Sequence, residues 1–254
     1  MLRRPSPIFL ALLAATAAAG AVAWKAEFSN AGTRVFAFVL LGWVVSLCLH
    51  EFAHAVTAYR FGDVTVAEKG YLSLDPRKYL HPVLSILMPI AFLVMGGIGL
   101  PGGAVWIQMG LIRDRAHRSL VSAAGPLTNL AIGVALSLPF RLFPSIPSRA
   151  PAFAGALAFL ALLQFIAAIL NALPLPGLDG FGALEPYLPR SFLDALAPYR
   201  QYSIVLLFIL AWQAPWFGHL VFGNARTLLE LVGNDAALSS ISEFGWHLFR
   251  FWER

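Results

Sequence analysis

Charged residues are scarce in this sequence. Only 12% of the 254 residues are charged, against about 25% in an average soluble domain, and 59% are hydrophobic. Several windows of about eighteen residues carry almost no charge, which is long enough to cross a hydrocarbon core of roughly 30 Å. This composition excludes a single soluble domain. It predicts an all-α polytopic membrane protein with about five to six transmembrane helices.

Cysteine is almost absent as well. The single Cys48 excludes a disulfide framework, and its place inside an apolar run favours a buried structural residue over a metal ligand. The net charge of +5 comes without any basic run. Scattered Lys and Arg in a membrane protein mark cytoplasmic loops, so no nucleic-acid partner is predicted.

The chain is divided by long apolar runs at 8–24, 35–59, 83–100, 119–140, 151–173 and 203–222. The first follows Arg3 and Arg4 and has the pattern of a signal peptide. Because further membrane helices follow it, an uncleaved first helix with both arginines in the cytoplasm is favoured. The last thirty residues interleave aromatic and charged side chains, which predicts a helix lying in the membrane interface.

A short stretch between the second and third runs has strand-like alternation. Residues 64–74 alternate apolar and polar side chains around a Gly turn, which predicts a small membrane-associated β-hairpin. Such a hairpin is either a plain connection or a strand edge to which an unwound substrate peptide pairs.

The strongest motif is HExxH within the second apolar run. On a helix, His50 and His54 share one face, so both imidazoles can bind one zinc ion. Glu51 can then take a proton from water activated by the metal. Two buried histidines that merely bond neighbouring helices are the plainer alternative. Ionisable groups in membrane helices are costly and usually functional, so the metal site is favoured.

A catalytic zinc needs a third protein ligand. Arg60 occupies the position at which one subclass has a third histidine, so that subclass is excluded. Glu68 and Glu185 are possible ligands, but Glu68 sits beside Lys69 at a turn and Glu185 precedes a proline. Asp179, in "NALPLPGLDGFGALEP", is the better candidate because prolines end the helix there and glycines let the backbone approach a site.

Three motifs in order carry a family resemblance. Between about residues 40 and 182 the chain resembles the site-2 protease family of intramembrane zinc metalloproteases, in its compact bacterial form without inserted peptide-binding or nucleotide-sensing domains. The motifs are His50-Glu51-x-x-His54, Gly125-Pro126-x-x-Asn129 and Asn171-x-x-Pro174-x-Pro176-x-Leu178-Asp179-Gly180.

The resemblance implies one zinc ion per chain, bound by His50, His54 and Asp179, with Glu51 as general base. Asn129 would assist the substrate or the tetrahedral intermediate, or else bond a neighbouring helix. Asn171 has the same two readings, with the structural one favoured. The implied substrate is a transmembrane protein cleaved in the lipid bilayer.

The metal site constrains the topology. With Arg3 and Arg4 in the cytoplasm, His50 lies roughly 14 Å from the cytoplasmic end of its helix. Asp179 must reach the same depth, so the chain must cross the membrane an even number of times between them. We therefore predict that 83–100, which is rich in Pro and Gly, is re-entrant or broken rather than spanning.

The sequence thus predicts three parts: a first transmembrane helix and loop (1–34), a catalytic membrane core (35–182), and a C-terminal transmembrane helix with an interfacial amphipathic segment (183–254). A bacterial plasma membrane, with the site toward the cytoplasm, is the expected location. The alternatives are a catalytically inactive relative that binds membrane proteins, a zinc or proton transporter, and an HExxH protease with a Glu as third ligand. Retained Glu51 argues against the first. Against the second, the remaining histidines lie near the predicted helix ends or interfaces, so no relay of further His, Asp or Glu within the helices is visible.

Overall fold

The computed structural model describes residues 4–27, 30–78 and 105–253, and every regular element in these ranges is helical. The main helices are α1 (Pro7–Trp24), α2 (Ala31–Arg60), α3 (Arg115–Leu142), α4 (Pro151–Asn171), α5 (Asp179–Leu184), α6 (Arg190–Leu196), α7 (Ser203–Gln213), α8 (Asn224–Gly233) and α9 (Leu238–Phe249). Short helical turns lie at Thr65–Glu68, Tyr71–Ser73, Pro76–Lys78, Met109–Leu111, Ile146–Arg149, Glu185–Tyr187, Ala197–Tyr202, Pro215–Gly218, His219–Gly223 and Phe251–Glu253.

Four of these helices, α1, α2, α3 and α4, are long and apolar enough to cross a membrane. A fifth span results if the pair Arg190–Tyr202 and Val205–Ala211, bent by 69°, counts as one. The prediction of an all-helical membrane protein is therefore confirmed, with four to five spans among the described residues. The predicted re-entrant segment 83–100 lies outside the described residues.

Helix α4 is the centre of the bundle, and α2, α3 and α9 pack around it. Close crossings are made possible by small residues, as is usual between membrane helices. An added Cβ on Gly42 of α2 would lie 2.5 Å from Leu160, and one on Gly245 of α9 would meet the backbone of Gly155. The apolar side chains of α4 are consequently covered by protein rather than left to lipid.

Three chain segments meet at one end of the bundle. The backbone N–H of Ser6, just before α1, donates to the carbonyl of Ser73 at 2.7 Å. The N–H of Gln108 donates to the carboxylate of Asp63, just after α2, also at 2.7 Å. Helix α3 starts a few residues later, so the start of α1, the end of α2 and the start of α3 lie together.

The predicted β-hairpin is not seen among the described residues, which include all of 64–74. The segment forms helical turns, and the carboxylate of Asp63 accepts from the N–H and the hydroxyl of Thr65, which starts the first turn. Left-handed backbone at Gly70 and Leu74 bounds the second turn. The apolar alternation serves to bury Val66 and other side chains against α2, and no strand edge is available here for a substrate.

The predicted C-terminal transmembrane helix over 203–222 is interrupted. Helix α7 has eleven residues, about 16 Å of rise, and stops at Ala214, whose extended backbone is the conformation favoured before a proline. Pro215 then starts a separate turn. Farther on, α9 buries Leu248 and Phe249 against the bundle. Its position relative to the membrane interface stays a prediction.

Candidate metal centre

The two histidines of the HExxH motif lie on one face of α2. His50 and His54 are one helical turn apart, both are buried, and their Nε2 atoms are 3.1 Å from each other. The long, uniformly apolar sequence of α2 carries this turn into the bundle, where α3 and α4 cover it. The motif therefore presents a pair of convergent ring nitrogens inside the protein.

Asp179 reaches the histidines through the turn that follows α4. The turn reverses at Gly177, which has a φ of +91°, a conformation that favours glycine. A Cβ on Gly180 would collide with the carbonyl of Ala172, so only glycine lets α5 start against the end of α4. Asp179 is the first residue of α5.

Two short distances join this carboxylate to the histidines. Oδ2 of Asp179 lies 3.4 Å from Nε2 of His50, and Oδ1 lies 3.4 Å from Nε2 of His54. One ligand atom from each of the three residues lies within 4.8 Å of the others. Among the described residues this is the only group of three or more His, Cys, Asp or Glu arranged in this way.

The hydrogen-bond partners of the two rings are those expected of metal-binding histidines. Nδ1 of His54 lies 2.7 Å from the carbonyl oxygen of Val121, an acceptor, so Nδ1 carries the proton and Nε2 of the neutral ring has a free lone pair. Nδ1 of His50 is likewise bonded, to the side-chain oxygen of Asn129. Two nitrogen lone pairs and a carboxylate then face one another, and a shared cation would stabilise them.

Gly125 of α3 leaves space beside these nitrogens. A Cβ at this position would lie 2.5 Å from Nε2 of His50 and closer still to Nε2 of His54. Zinc–nitrogen bonds are about 2.0–2.1 Å long, so the space that the glycine leaves open is within bonding reach of both rings. The donor set of two imidazoles and one carboxylate also fits catalytic zinc.

Electrostatics keep the third ligand ionised. Burial by itself raises the pKa of the Asp179 carboxyl, but hydrogen bonds and charge from the two neighbouring imidazoles in their protonated, metal-free form outweigh burial and hold the pKa well below its ordinary value. The group is therefore a carboxylate at neutral pH, which is the form that binds a metal.

Glu51 lines the same cavity as the three candidate ligands and is also buried. One of its oxygens, Oε2, accepts a 3.0 Å hydrogen bond from the backbone N–H of Val105. His50, Glu51, His54 and Asp179 all line a cavity of about 570 Å³. The carboxylate is thus held at the wall of a space large enough for water and part of a peptide.

Both asparagines are buried and line the cavity. Asn129 lies on α3, where its oxygen bonds Nδ1 of His50 and its amide nitrogen donates to Gln164 at 2.8 Å. Asn171 lies at the end of α4, and its structural role stays a prediction. Sequence reasoning missed Gln164, although it is a conspicuous polar residue in the apolar run "FLALLQFIAAIL".

The other candidate ligands lie elsewhere. Glu185 forms a 2.8 Å ion pair with Arg200 at a site where both side chains are about 40% exposed. Glu68 is exposed in the turn after α2. Cys48 packs in an apolar cluster with Phe9 and other side chains.

Comparison with known proteins decides the family. The chain is 49% identical over 254 residues to a protein of Mycobacterium tuberculosis named "Putative zinc metalloprotease Rip2", covering 98% of this chain and 95% of the relative. Rip2 of Mycolicibacterium smegmatis is 46% identical over 257 residues, with the same coverage. YwhC of Bacillus subtilis, named in the same way, is 30% identical over 179 residues, 68% of this chain and 79% of the relative.

The chain belongs to the site-2 protease family. It is a membrane protein and a zinc metalloprotease by these relationships, and His50, His54 and Asp179 lie close enough together to form its metal site. No family model and no solved structure matches the chain.

Proposed function

We propose that this protein hydrolyses peptide bonds within or near the transmembrane segments of membrane-protein substrates. The observation that carries the proposal is the position of the site: Glu51 and the three candidate ligands His50, His54 and Asp179 line one cavity between helices that are long enough to span a membrane. His50 lies ten residues before the end of α2, about 15 Å along the helix axis, so the cavity lies inside the bundle.

In this proposal His50, His54 and Asp179 hold the metal. A zinc ion held there would polarise the scissile carbonyl and make a water molecule acidic enough to lose a proton near pH 7. Glu51 would accept that proton on its Oε1 oxygen, since Oε2 accepts from Val105, and pass it to the amine nitrogen, which leaves as the water oxygen bonds to the carbonyl carbon and the C–N bond breaks. Because the carbonyls of an intact helix are hydrogen-bonded within the helix, the substrate must be locally unwound to present its scissile carbonyl.

The distribution of basic residues supports a cytoplasmic orientation of the site. Loops at the end of the bundle where α2 ends and α3 begins are rich in Lys and Arg, which favours the cytoplasmic side. We therefore place the site toward the cytoplasm of a bacterial plasma membrane. The basic residues at this end are Arg4, Arg60, Lys69, Arg77, Lys78, Arg113, Arg115 and Arg118.

The proposal is tested with two acidic residues that lie six positions apart. The purified chain is reconstituted with a panel of tagged single-span membrane proteins, and products are mapped by mass spectrometry. We expect cleavage inside or at the edge of a transmembrane segment by the wild type and by Glu185→Ala, because Glu185 pairs with Arg200 at the surface. Asp179→Ala should be inactive because it removes a metal ligand. Equal activity of Asp179→Ala and the wild type, or cleavage only in soluble regions, would contradict the proposal.

A further inference from the structure

A row of hydrogen bonds leads away from the metal centre through three helices. From His50 on α2 it passes to Asn129 on α3 and then to Gln164 on α4. The amide nitrogen of Gln164 lies 3.0 Å from the hydroxyl of Ser46, back on α2, and that hydroxyl lies 2.8 Å from the carbonyl of Trp43. Ser46 and His50 are one turn apart, so the row closes on the helix from which it started.

Burial makes this row costly unless it is fully bonded. Gln164 has no exposed surface, and Ser46 and Asn129 are each 4% exposed. A buried amide without partners is destabilising, the more so in a helix that spans a membrane. Apolar residues at 46, 129 and 164 would pack these helices without that risk, so the polar set has a purpose other than packing.

The direction of each hydrogen bond in this row is set by its last acceptor, the carbonyl of Trp43. The Trp43 carbonyl can only accept, so the Ser46 hydroxyl donates to it and accepts from Gln164. Gln164 must then turn its NH₂ toward Ser46 and its oxygen toward Asn129.

The same logic continues to the histidine. Because Gln164 offers an oxygen, Asn129 must turn its NH₂ toward Gln164 and its own oxygen toward His50. That oxygen accepts only if Nδ1 of His50 carries the proton, which leaves the lone pair on Nε2, the nitrogen that faces His54 and Asp179.

We propose that Ser46 and Gln164, acting through Asn129, are positioning residues that hold His50 in the Nδ1-protonated tautomer and orient its ring for zinc. The inference rests on the proposed role of His50 as a zinc ligand. Asn129 then acts through the histidine rather than on the substrate. Hydrogen-bond partners of metal-binding histidines typically affect metal affinity by about 10- to 100-fold.

Zinc affinity of the purified full-length chain, measured by competition with a chelating indicator, tests the proposal. We expect Gln164→Met, which keeps the side-chain length but removes both polar groups, to weaken zinc binding by about 10- to 100-fold. Ser46→Ala removes only the fixed end of the row, and we expect a loss of about two- to tenfold. The matched control is Ser137→Ala, since Ser137 is equally buried and bonds a helix carbonyl on α3 but lies outside the row.

A double variant distinguishes a positioning role of Gln164 from a packing role. A carboxylate at position 129 accepts from His50 whatever its other neighbours do, so Asn129→Asp combined with Gln164→Met should recover zinc affinity toward the wild-type value. A packing defect at Gln164 would not be repaired in this way. If the double variant recovered no zinc affinity, the proposed positioning of His50 through Asn129 would be contradicted.

The ring nitrogens give a readout that needs no metal. Nitrogen-15 spectra of the metal-free chain, at a pH where the imidazoles are neutral, should show His50 protonated at Nδ1 in the wild type and in both tautomers in Gln164→Met. The His50→Asn variant assigns the signal. If Gln164→Met and Ser46→Ala both kept wild-type zinc affinity and an unchanged His50 tautomer, the positioning role of these residues would be contradicted. The proposed protease function would not be affected by that result. A wild type that binds no zinc would contradict the proposed protease function. The nitrogen-15 spectra would still show whether Ser46 and Gln164 set the tautomer of His50.

Discussion

Gly125→Ala is expected to weaken zinc binding by more than about 100-fold, which exceeds the usual effect of removing a neighbouring hydrogen-bond partner. The added methyl group would lie 2.5 Å from Nε2 of His50 and nearer to Nε2 of His54. Both rings would have to move by much more than the roughly 0.2 Å that metal–ligand distances tolerate. The backbone of α3 is held by its packing on α2 and α4, so it cannot simply withdraw.

Gly223→Ala is the matched control for this prediction. Gly223 is also in a helical segment, but nothing lies within 4 Å of a Cβ built on it. We expect wild-type zinc affinity in this variant. Zinc affinity is read by chelator competition, and thermal unfolding of the metal-free chain shows whether each variant is folded. A folded Gly125→Ala protein with wild-type zinc affinity would mean that the metal is bound elsewhere.

Glu51→Gln is expected to lower the rate of peptide hydrolysis by about 10²- to 10⁴-fold while leaving zinc bound. The amide has nearly the shape of the carboxylate, and its oxygen can still accept from the N–H of Val105. It cannot, however, take a proton from water. None of the three metal-binding side chains is altered, so the zinc content should stay the same.

The control for that variant is Glu68→Gln, the same substitution at an exposed glutamate in the turn after α2. Hydrolysis rates are compared on one cleaved substrate at equal zinc loading. If Glu51→Gln cleaved as fast as Glu68→Gln, Glu51 would not be the base. If it lost zinc together with activity, the effect would reside in the metal site rather than in proton transfer.

The sequence was most informative where the chemistry demands particular residues at particular spacings. His50 and His54 had to share a face if their segment was helical, and a third ligand had to come from elsewhere in the chain. Asp179 was selected by its surrounding prolines and glycines. The structure shows why those residues are needed, since the backbone at Gly177 and the packing at Gly180 both require glycine.

Local alternation was a poor guide because it has more than one physical origin. In residues 64–74 short helical turns bury the apolar side chains, and the first of them starts where the Asp63 carboxylate binds the N–H of Thr65. The run at 203–222 is divided at Pro215, because the residue before a proline favours extended backbone. Both features depend on local backbone conformation rather than on hydrophobicity.

The row of Ser46, Asn129 and Gln164 could not be assembled from the sequence. Its members lie on three helices, 35 and 83 residues apart along the chain, and only packing brings them together. The one signal available was a glutamine in an otherwise apolar membrane helix. Such a residue predicts a buried partner but does not identify it.

The central claim is that His50, His54 and Asp179 hold one zinc ion, and elemental analysis of the detergent-purified chain tests it most directly. The wild type should contain about one zinc per chain, and His54→Ala and Asp179→Ala should each lose most of it, because each removes one of the three ligand atoms that lie within 4.8 Å of one another. A wild type without zinc after reconstitution, or full zinc in both variants, would contradict the account.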